Sequence, residues 1–295
     1  MFKVWVQFTN RKLTYEHFSV DANRKRDELM VEPLTAVGAG LTVLGSKDLI
    51  TKLLGPSAEY LGENLKGLVE KSHTNLNNVF SNALKKLGAR ADQPGTVNPR
   101  ILKRIVDDGR FCDDPLMAEY LGGVLASSKV DVPRDDRGTF YLSEINSLSS
   151  YQLRTHYLMY AAIVRSEKPY DQDLSYWFKQ DSISVAIPES GYVAGMELNE
   201  NESQTDIAYH SFLGLEMKGL LERGVDLKAT DDHSDFDVPF RYFWPTRYGF
   251  ELFLWGLGLG QTRATSYFAL DRNIGLPTHV TFETLKIELG KVHFH

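Results

Sequence analysis

Cysteine is almost absent from this 295-residue chain, in which Cys112 stands alone. A single thiol cannot form an internal disulfide or build a multi-cysteine zinc site, and such cysteine usage is typical of a reducing cytoplasm. The surrounding sequence, RFCDDP, holds no histidine that could activate the thiol. We therefore interpret Cys112 as a small packing residue near a helix end.

Long apolar runs are also missing. The longest charge-free stretch of the N-terminal half covers residues 33–46 and is well short of the ~20 residues that span a bilayer. The N-terminus carries Lys3 and Arg11 and lacks the apolar core and small-residue cleavage site of a secretory signal. These features predict a cytoplasmic protein with no transmembrane segment.

The chain has no excess of positive charge, because its net charge is −6. This balance argues against a protein coated in nucleic acid. Residues 197–237 hold eleven acidic and three basic residues, whereas residues 85–110 hold seven basic and three acidic ones, a local charge of +4. The basic stretch predicts either a solvated helix face or a surface for an acidic partner, formed by Lys85, Lys86, Arg90, Arg100, Lys103 and Arg104.

Catalytic and cofactor motifs are lacking as well. Lys47 follows Gly45 and Ser46 but is not placed as in a phosphate-binding loop. The acidic stretch Asp231–Asp237 has neither the central glycine nor the final glutamate of a calcium loop, and it is typical of an exposed hairpin tip. We expect no catalytic, cofactor or metal-binding residues, and a metal-dependent hydrolase that uses this stretch remains the alternative.

What the sequence does contain predicts a mainly α protein with minor β structure. We divide it into a strand-containing segment (1–45), a small helical domain (46–145), a winged-helix-like α+β domain (146–262) and a C-terminal tail (263–295). Alternation in FKVWVQF, at residues 2–8, predicts the first strand. Residues 132–138 are expected to form a polar loop.

Capping patterns locate the helices. Asn98 before Pro99, and Asp114 before Pro115, predict two helix starts, and Ser149 or Ser150 predicts a third. The later part of the chain predicts a β-prone stretch at 182–198, a helix from 205 that Gly224 stops, a hairpin of VDLKAT with PFRYFWPT, and a final helix in RYGFELFLWGLGLG.

Glycines inside the predicted helix after Pro56 need an explanation, since each costs about 1 kcal/mol against alanine. Gly62 lies four residues after Ala58, beside an apolar stripe. We interpret Ala58 and Gly62 as a small-residue face on which another helix packs closely.

Three segments resemble the abortive-infection alpha (Abi-alpha) family of bacterial phage-defence proteins. They are LITKLLGPSAEYLGENL (49–65), VNPRILKRIVDDGRFCDDPLMAEYLGGVLASS (97–128) and LSEINSLSSYQLRTHYLMYAAI (142–163). The segment GLLERG to WPTRYGFELF is similar to the winged-helix end that often follows such helices. The shared residues are caps, glycines and apolar positions.

This resemblance implies a cytoplasmic phage-defence protein that binds a protein partner, which is either a defence-system component or a phage protein. A homo-oligomer is a separate prediction. It implies no catalytic residues. The favoured function is therefore non-enzymatic abortive infection through protein–protein contacts. In a winged helix, the helix before the hairpin is the one that contacts DNA, and here that helix (about 205–223) and the hairpin are acidic. DNA binding there is therefore not expected, and a nucleic-acid-binding regulator that uses residues 85–110 is the alternative.

Overall fold

The computed structural model describes residues 4–8, 52–54, 74–165, 183–228, 240–262 and 292–294. Its helices are α1 (Thr74–Leu87), α2 (Pro99–Gly109), α3 (Pro115–Ser127), α4 (Gly138–Asn146), α5 (Ser150–Arg165), α6 (Glu189–Met196), α7 (Gln204–Met217) and α8 (Arg247–Gly256). Its strands are β1 (Val4–Phe8), β2 (Ile183–Pro188), β3 (Leu221–Lys228), β4 (Phe240–Pro245) and β5 (Val292–Phe294). The prediction of a mainly helical chain with a small amount of sheet is confirmed.

The helix starts follow the capping chemistry of the sequence. The side chains of Asn98 and Asp114 accept hydrogen bonds from backbone N–H groups in the first turns of α2 and α3, and a proline follows each cap. Helix α5 begins at Ser150, and the Ser149 hydroxyl accepts from the backbone N–H of Gln152. Thr246 caps α8 by accepting from the backbone N–H of Gly249. The predicted starts of α2, α3 and α5 are confirmed.

The strands form one sheet in the order β3-β4-β2-β1-β5. Strand β1 pairs antiparallel with β2 and parallel with β5, while β4 pairs antiparallel with both β2 and β3. The predicted N-terminal strand and the predicted hairpin of β3 with β4 are therefore confirmed. The segment between β3 and β4, including Asp231–Asp237, lies outside the described residues.

The predicted stop of the helix after residue 205 was wrong. Helix α7 ends at Met217, and Gly219 adopts a left-handed φ of 68°. The N–H of Leu220 then donates to the carbonyl of Leu215 and the N–H of Gly219 to that of Glu216, a Schellman motif that terminates the helix. Gly224 lies inside β3, opposite Phe243.

Two further elements differ from the sequence-based prediction. Only the first part of the β-prone stretch 182–198 is a strand, because α6 begins directly after Pro188, which fits a helix start. The helix α4 follows the polar residues 132–137 and was not separately predicted.

The core is one cluster of buried apolar side chains drawn from most of the helices and from β2, β3 and β4. Helix α3 lies at its centre and packs against α1 and α8. A Cβ atom added to Gly122 would lie 2.7 Å from the Val79 carbonyl oxygen, and one added to Gly123 would lie 1.7 Å from that of Gly256. Glycine is therefore what lets α3 approach two other backbones. The division of the chain into domains stays a prediction.

None of the helices in the described part of the chain is long and apolar enough to cross a membrane.

Candidate functional site

Three of the six residues predicted to bind an acidic partner lie together on helix α2. Arg100, Lys103 and Arg104 line a groove of about 510 Å³ between α2 and α4. The α4 side of this groove is formed by Thr139, Phe140 and Ser143. The spacing of the three cations along α2 brings them to this side of the helix, since residues three and four apart share a face.

The cations of this groove differ in how they are held. Arg100 lies 2.5 Å from Asp136, and Lys103 lies 2.5 Å from Asp107 one helical turn away. Arg104 instead donates from Nη1 to two neutral acceptors, the Thr139 carbonyl at 2.9 Å and the Ser143 hydroxyl at 2.8 Å. Arg104 is therefore the cation of this groove that has no carboxylate partner among the described residues.

The remaining three predicted cations lie at the end of α1 and just after it. Lys85 is exposed, but Lys86 is buried and forms an ion pair with Glu119 of α3. Desolvation lowers the pKa of Lys86, and the Glu119 carboxylate opposes that shift. Arg90 donates to the Gly258 carbonyl at 2.9 Å, and burial lowers its pKa. Lys86 thus joins helices in the interior, and a partner-binding role for the other cations stays a prediction.

A second groove adjoins the first. Its volume is about 760 Å³, and Arg137, Arg247 and Glu251 provide its charged side chains. The aromatic part consists of Phe140, Tyr141, Tyr248 and Trp255. The rings of Tyr141 and Trp255 stack with their centroids 4.4 Å apart. Phe140 borders both grooves and is 56% exposed.

We call this combined surface the Phe140 face, defined by Phe140 and the five cations Arg100, Lys103, Arg104, Arg137 and Arg247. Arg137 donates hydrogen bonds from Nε and Nη2 to the Asp135 carboxylate, and the shorter one, from Nη2 to Oδ2, is 2.6 Å. Arg247 lies 4.0 Å from Glu251, a loose ion pair. An exposed aromatic ring bordered by arginines is suited to binding a ligand that has both apolar and anionic groups.

The tyrosine hydroxyls of the second groove stay protonated at neutral pH. Burial raises the pKa of Tyr141 above its ordinary value. Burial and a 3.0 Å hydrogen bond to Glu144 raise the pKa of Tyr248. Protonated hydroxyls donate hydrogen bonds, as that of Tyr248 does to Glu144.

Among the described residues, one histidine with a perturbed pKa lies buried in the core. His156 on α5 contacts the Tyr120 hydroxyl at Nδ1 and the Gly249 carbonyl at Nε2, both at 2.9 Å. Burial lowers its pKa to about 4, so the ring is neutral, accepts from Tyr120 and donates to Gly249. His156 joins α5 to α3 and to α8, which is a structural role.

The other residues considered from sequence fall into two groups. Cys112 is buried, and burial raises the pKa of its thiol to about 12, in keeping with a packing role. Ala58, Gly62 and Asp231–Asp237 lie outside the described residues, so the helix-packing face and the hydrolase alternative stay predictions. Within the described ranges, no three histidine, cysteine, aspartate or glutamate residues cluster as a metal site.

The α2 cations were predicted from the sequence, but Phe140 was not. Its exposure could not be read from the sequence because the helix that carries it was not predicted. Comparisons of the chain with protein-family models, with curated proteins and with solved structures gave no match.

Proposed function

We propose that this chain is a non-enzymatic phage-defence protein of the abortive-infection type, which acts in the cytoplasm by binding a protein partner through the Phe140 face. The proposal combines the Abi-alpha resemblance of residues 49–163 with one structural observation. That observation is an exposed phenylalanine between two grooves, bordered by five cations. Exposed aromatic and arginine side chains are the residue types that most often anchor protein interfaces.

We also propose that α7, the β3–β4 hairpin and α8 act as a winged-helix-like unit that does not read DNA. Helix α7 occupies the place of the recognition helix in this order of elements. It exposes Tyr209, Leu213 and Met217 at a spacing of four residues, with Asp206 and Glu216 also exposed. The acidic side chains of this helix face are repelled by phosphates. The apolar side chains can pack against a protein, including a second copy of this chain.

Plaque assays test the proposed function. Cells that carry the gene should show a lower phage titre than cells without it for at least one phage of a broad panel. The partner should then co-purify with the chain during infection. Unchanged titres across the whole panel would contradict the proposal.

The nucleic-acid alternative is tested by a gel shift at about 50 mM and about 200 mM salt. Phosphate contacts would weaken steeply between these concentrations. The proposal predicts no salt-sensitive shift, because four carboxylates lie within 4.0 Å of the cations of the Phe140 face and would repel phosphates, those of Asp107, Asp135, Asp136 and Glu251.

A further inference from the structure

We infer that the Phe140 face binds an extended acidic peptide segment in which an apolar side chain lies between two carboxylates. This inference rests on the proposed function, since it names the chemistry of the partner segment at the same face. It follows from three features of the described residues: the position of Phe140, the unequal pairing of the cations, and the charge of the surface as a whole.

Phe140 supplies the apolar contact. One part of its ring packs on Tyr141 and Tyr248, with centroid distances of 5.3 Å and 5.7 Å. The rest of the ring is open to solvent at the border of the two grooves. An aromatic or large aliphatic side chain placed on it would remove apolar surface from water on both partners and would hold the segment across both grooves.

Two arginines, one on each groove, can each bind an anionic group of the ligand. Arg104 uses Nη1 for Thr139 and Ser143, and its Nε and Nη2 have no partner among the described residues. Arg247 is 55% exposed, and its Nε lies 4.0 Å from Glu251, so an incoming carboxylate can compete for the guanidinium. The other three cations of the face each contact a carboxylate at 2.6 Å or less, so they are less available to a ligand. They are Arg100, Lys103 and Arg137.

The distribution of charge favours a peptide over a nucleic acid strand. A strand carries a phosphate at every nucleotide, so it would also meet the carboxylates of Asp107, Asp135, Asp136 and Glu251. A peptide can place two carboxylates against Arg104 and Arg247 and leave the remaining positions neutral. The face therefore matches a ligand with sparse negative charge around an apolar centre.

Fluorescence anisotropy with the full chain tests the inference. The probe is a fluorescein-labelled synthetic peptide, Ser-Asp-Glu-Trp-Glu-Asp-Ser. Matched probes replace the tryptophan with serine, or the acidic residues with asparagine and glutamine. We expect the first peptide to bind at micromolar to millimolar concentration, and each matched probe to bind about 3- to 10-fold more weakly.

Variants assign the binding to particular side chains. Phe140→Ser, Arg104→Gln and Arg247→Gln should each weaken the first peptide about 3- to 10-fold. Two exposed residues outside both grooves are the controls: Arg134→Gln, and Phe111→Ser at an 86% exposed phenylalanine, should each change it less than about 2-fold. Thermal unfolding of each variant checks the fold, and Phe140→Leu, which keeps an apolar side chain, should retain most of the binding.

Four results would overturn the inference. They are no binding of the first peptide at about 1 mM, equal binding of the neutral probe, equal loss in Arg134→Gln and Arg104→Gln, or displacement of the peptide by a dT12 oligonucleotide that binds more tightly. The proposed function fails separately. If the peptide binds as expected but phage titres are unchanged, the peptide inference stands and the defence function falls. If protection depends on Phe140 but the peptide does not bind, the defence function stands and the peptide inference falls.

Discussion

Substituting Gly123 by alanine tests the close contact between α3 and α8 in the core. The added Cβ would lie 1.7 Å from the Gly256 carbonyl oxygen and 2.2 Å from the Gly256 carbonyl carbon. Cβ atoms essentially never approach another heavy atom within 3.0 Å, so α3 and α8 would have to separate by more than about 1 Å. The obstructing atoms belong to the backbone, which cannot rotate away as a side chain can.

The expected cost follows from these distances. Overpacking a well-packed core costs about 1–3 kcal/mol, and a backbone clash lies at or above the upper end of that range. The higher helix propensity of alanine stabilises the helix by about 1 kcal/mol relative to glycine and offsets part of this cost. We expect Gly123→Ala to lower the free energy of unfolding by about 3 kcal/mol, which corresponds to a decrease in Tm of about 6–12 °C for a domain of this size.

Thermal and urea unfolding, followed by circular dichroism, measure this effect. Gly109→Ala is the matched control, because the atom nearest to its added Cβ is the Leu76 Cδ1 at 3.1 Å, the end of a flexible side chain. The control should stay within about 1 kcal/mol of the wild type. Equal stability of Gly123→Ala and Gly109→Ala would refute the close approach of α3 to α8.

Three further predictions follow from the buried polar groups. Because burial lowers the pKa of His156 to about 4 from 6.5, the unfolded chain binds its proton more readily, and stability is lost as the pH falls through this window. The free energy of unfolding should fall by about 2 kcal/mol from His156 alone between about pH 7.5 and pH 5, and urea unfolding of His156→Gln should show a smaller decrease. Glu119→Gln leaves the buried Lys86 ammonium without its carboxylate and should destabilise the chain by about 3–5 kcal/mol in thermal unfolding, whereas Glu119→Leu combined with Lys86→Met should recover most of the loss. The Cys112 thiol should resist iodoacetamide at pH 8 in the folded chain and react after unfolding in urea, as followed by mass spectrometry, since burial raises its pKa to about 12.

Local features of the fold could be predicted from the sequence because local chemistry decides them. A side-chain acceptor followed by proline is sufficient to start α2 and α3, and Asn98 and Asp114 provide it. The alternation in residues 2–8 likewise predicted β1. Such features depend on neighbours within a few residues, all of which the sequence shows directly.

Features that depend on distant residues could not be predicted. Two glycines of the segment predicted as a helix from residue 205, Gly219 and Gly224, fit a helix stop equally well by residue type, and the pairing of Gly224 with Phe243 in the sheet decides between them. The burial of Lys86 depends on Glu119 on another helix. The exposure of Phe140 depends on how α4 packs between α2 and α8. Counting basic residues along the sequence therefore identified the α2 cations. It could not show which of them lacks a carboxylate partner among the described residues.

The efficiency of plating of a sensitive phage on cells that express the wild type, Phe140→Asp or Phe111→Asp tests the central claim most directly. Both variants place a carboxylate at an exposed phenylalanine, but only Phe140 borders the two grooves. The account predicts that protection is lost in Phe140→Asp and kept in Phe111→Asp, at equal expression and equal Tm. Full protection by Phe140→Asp would contradict the claim that this face binds the partner.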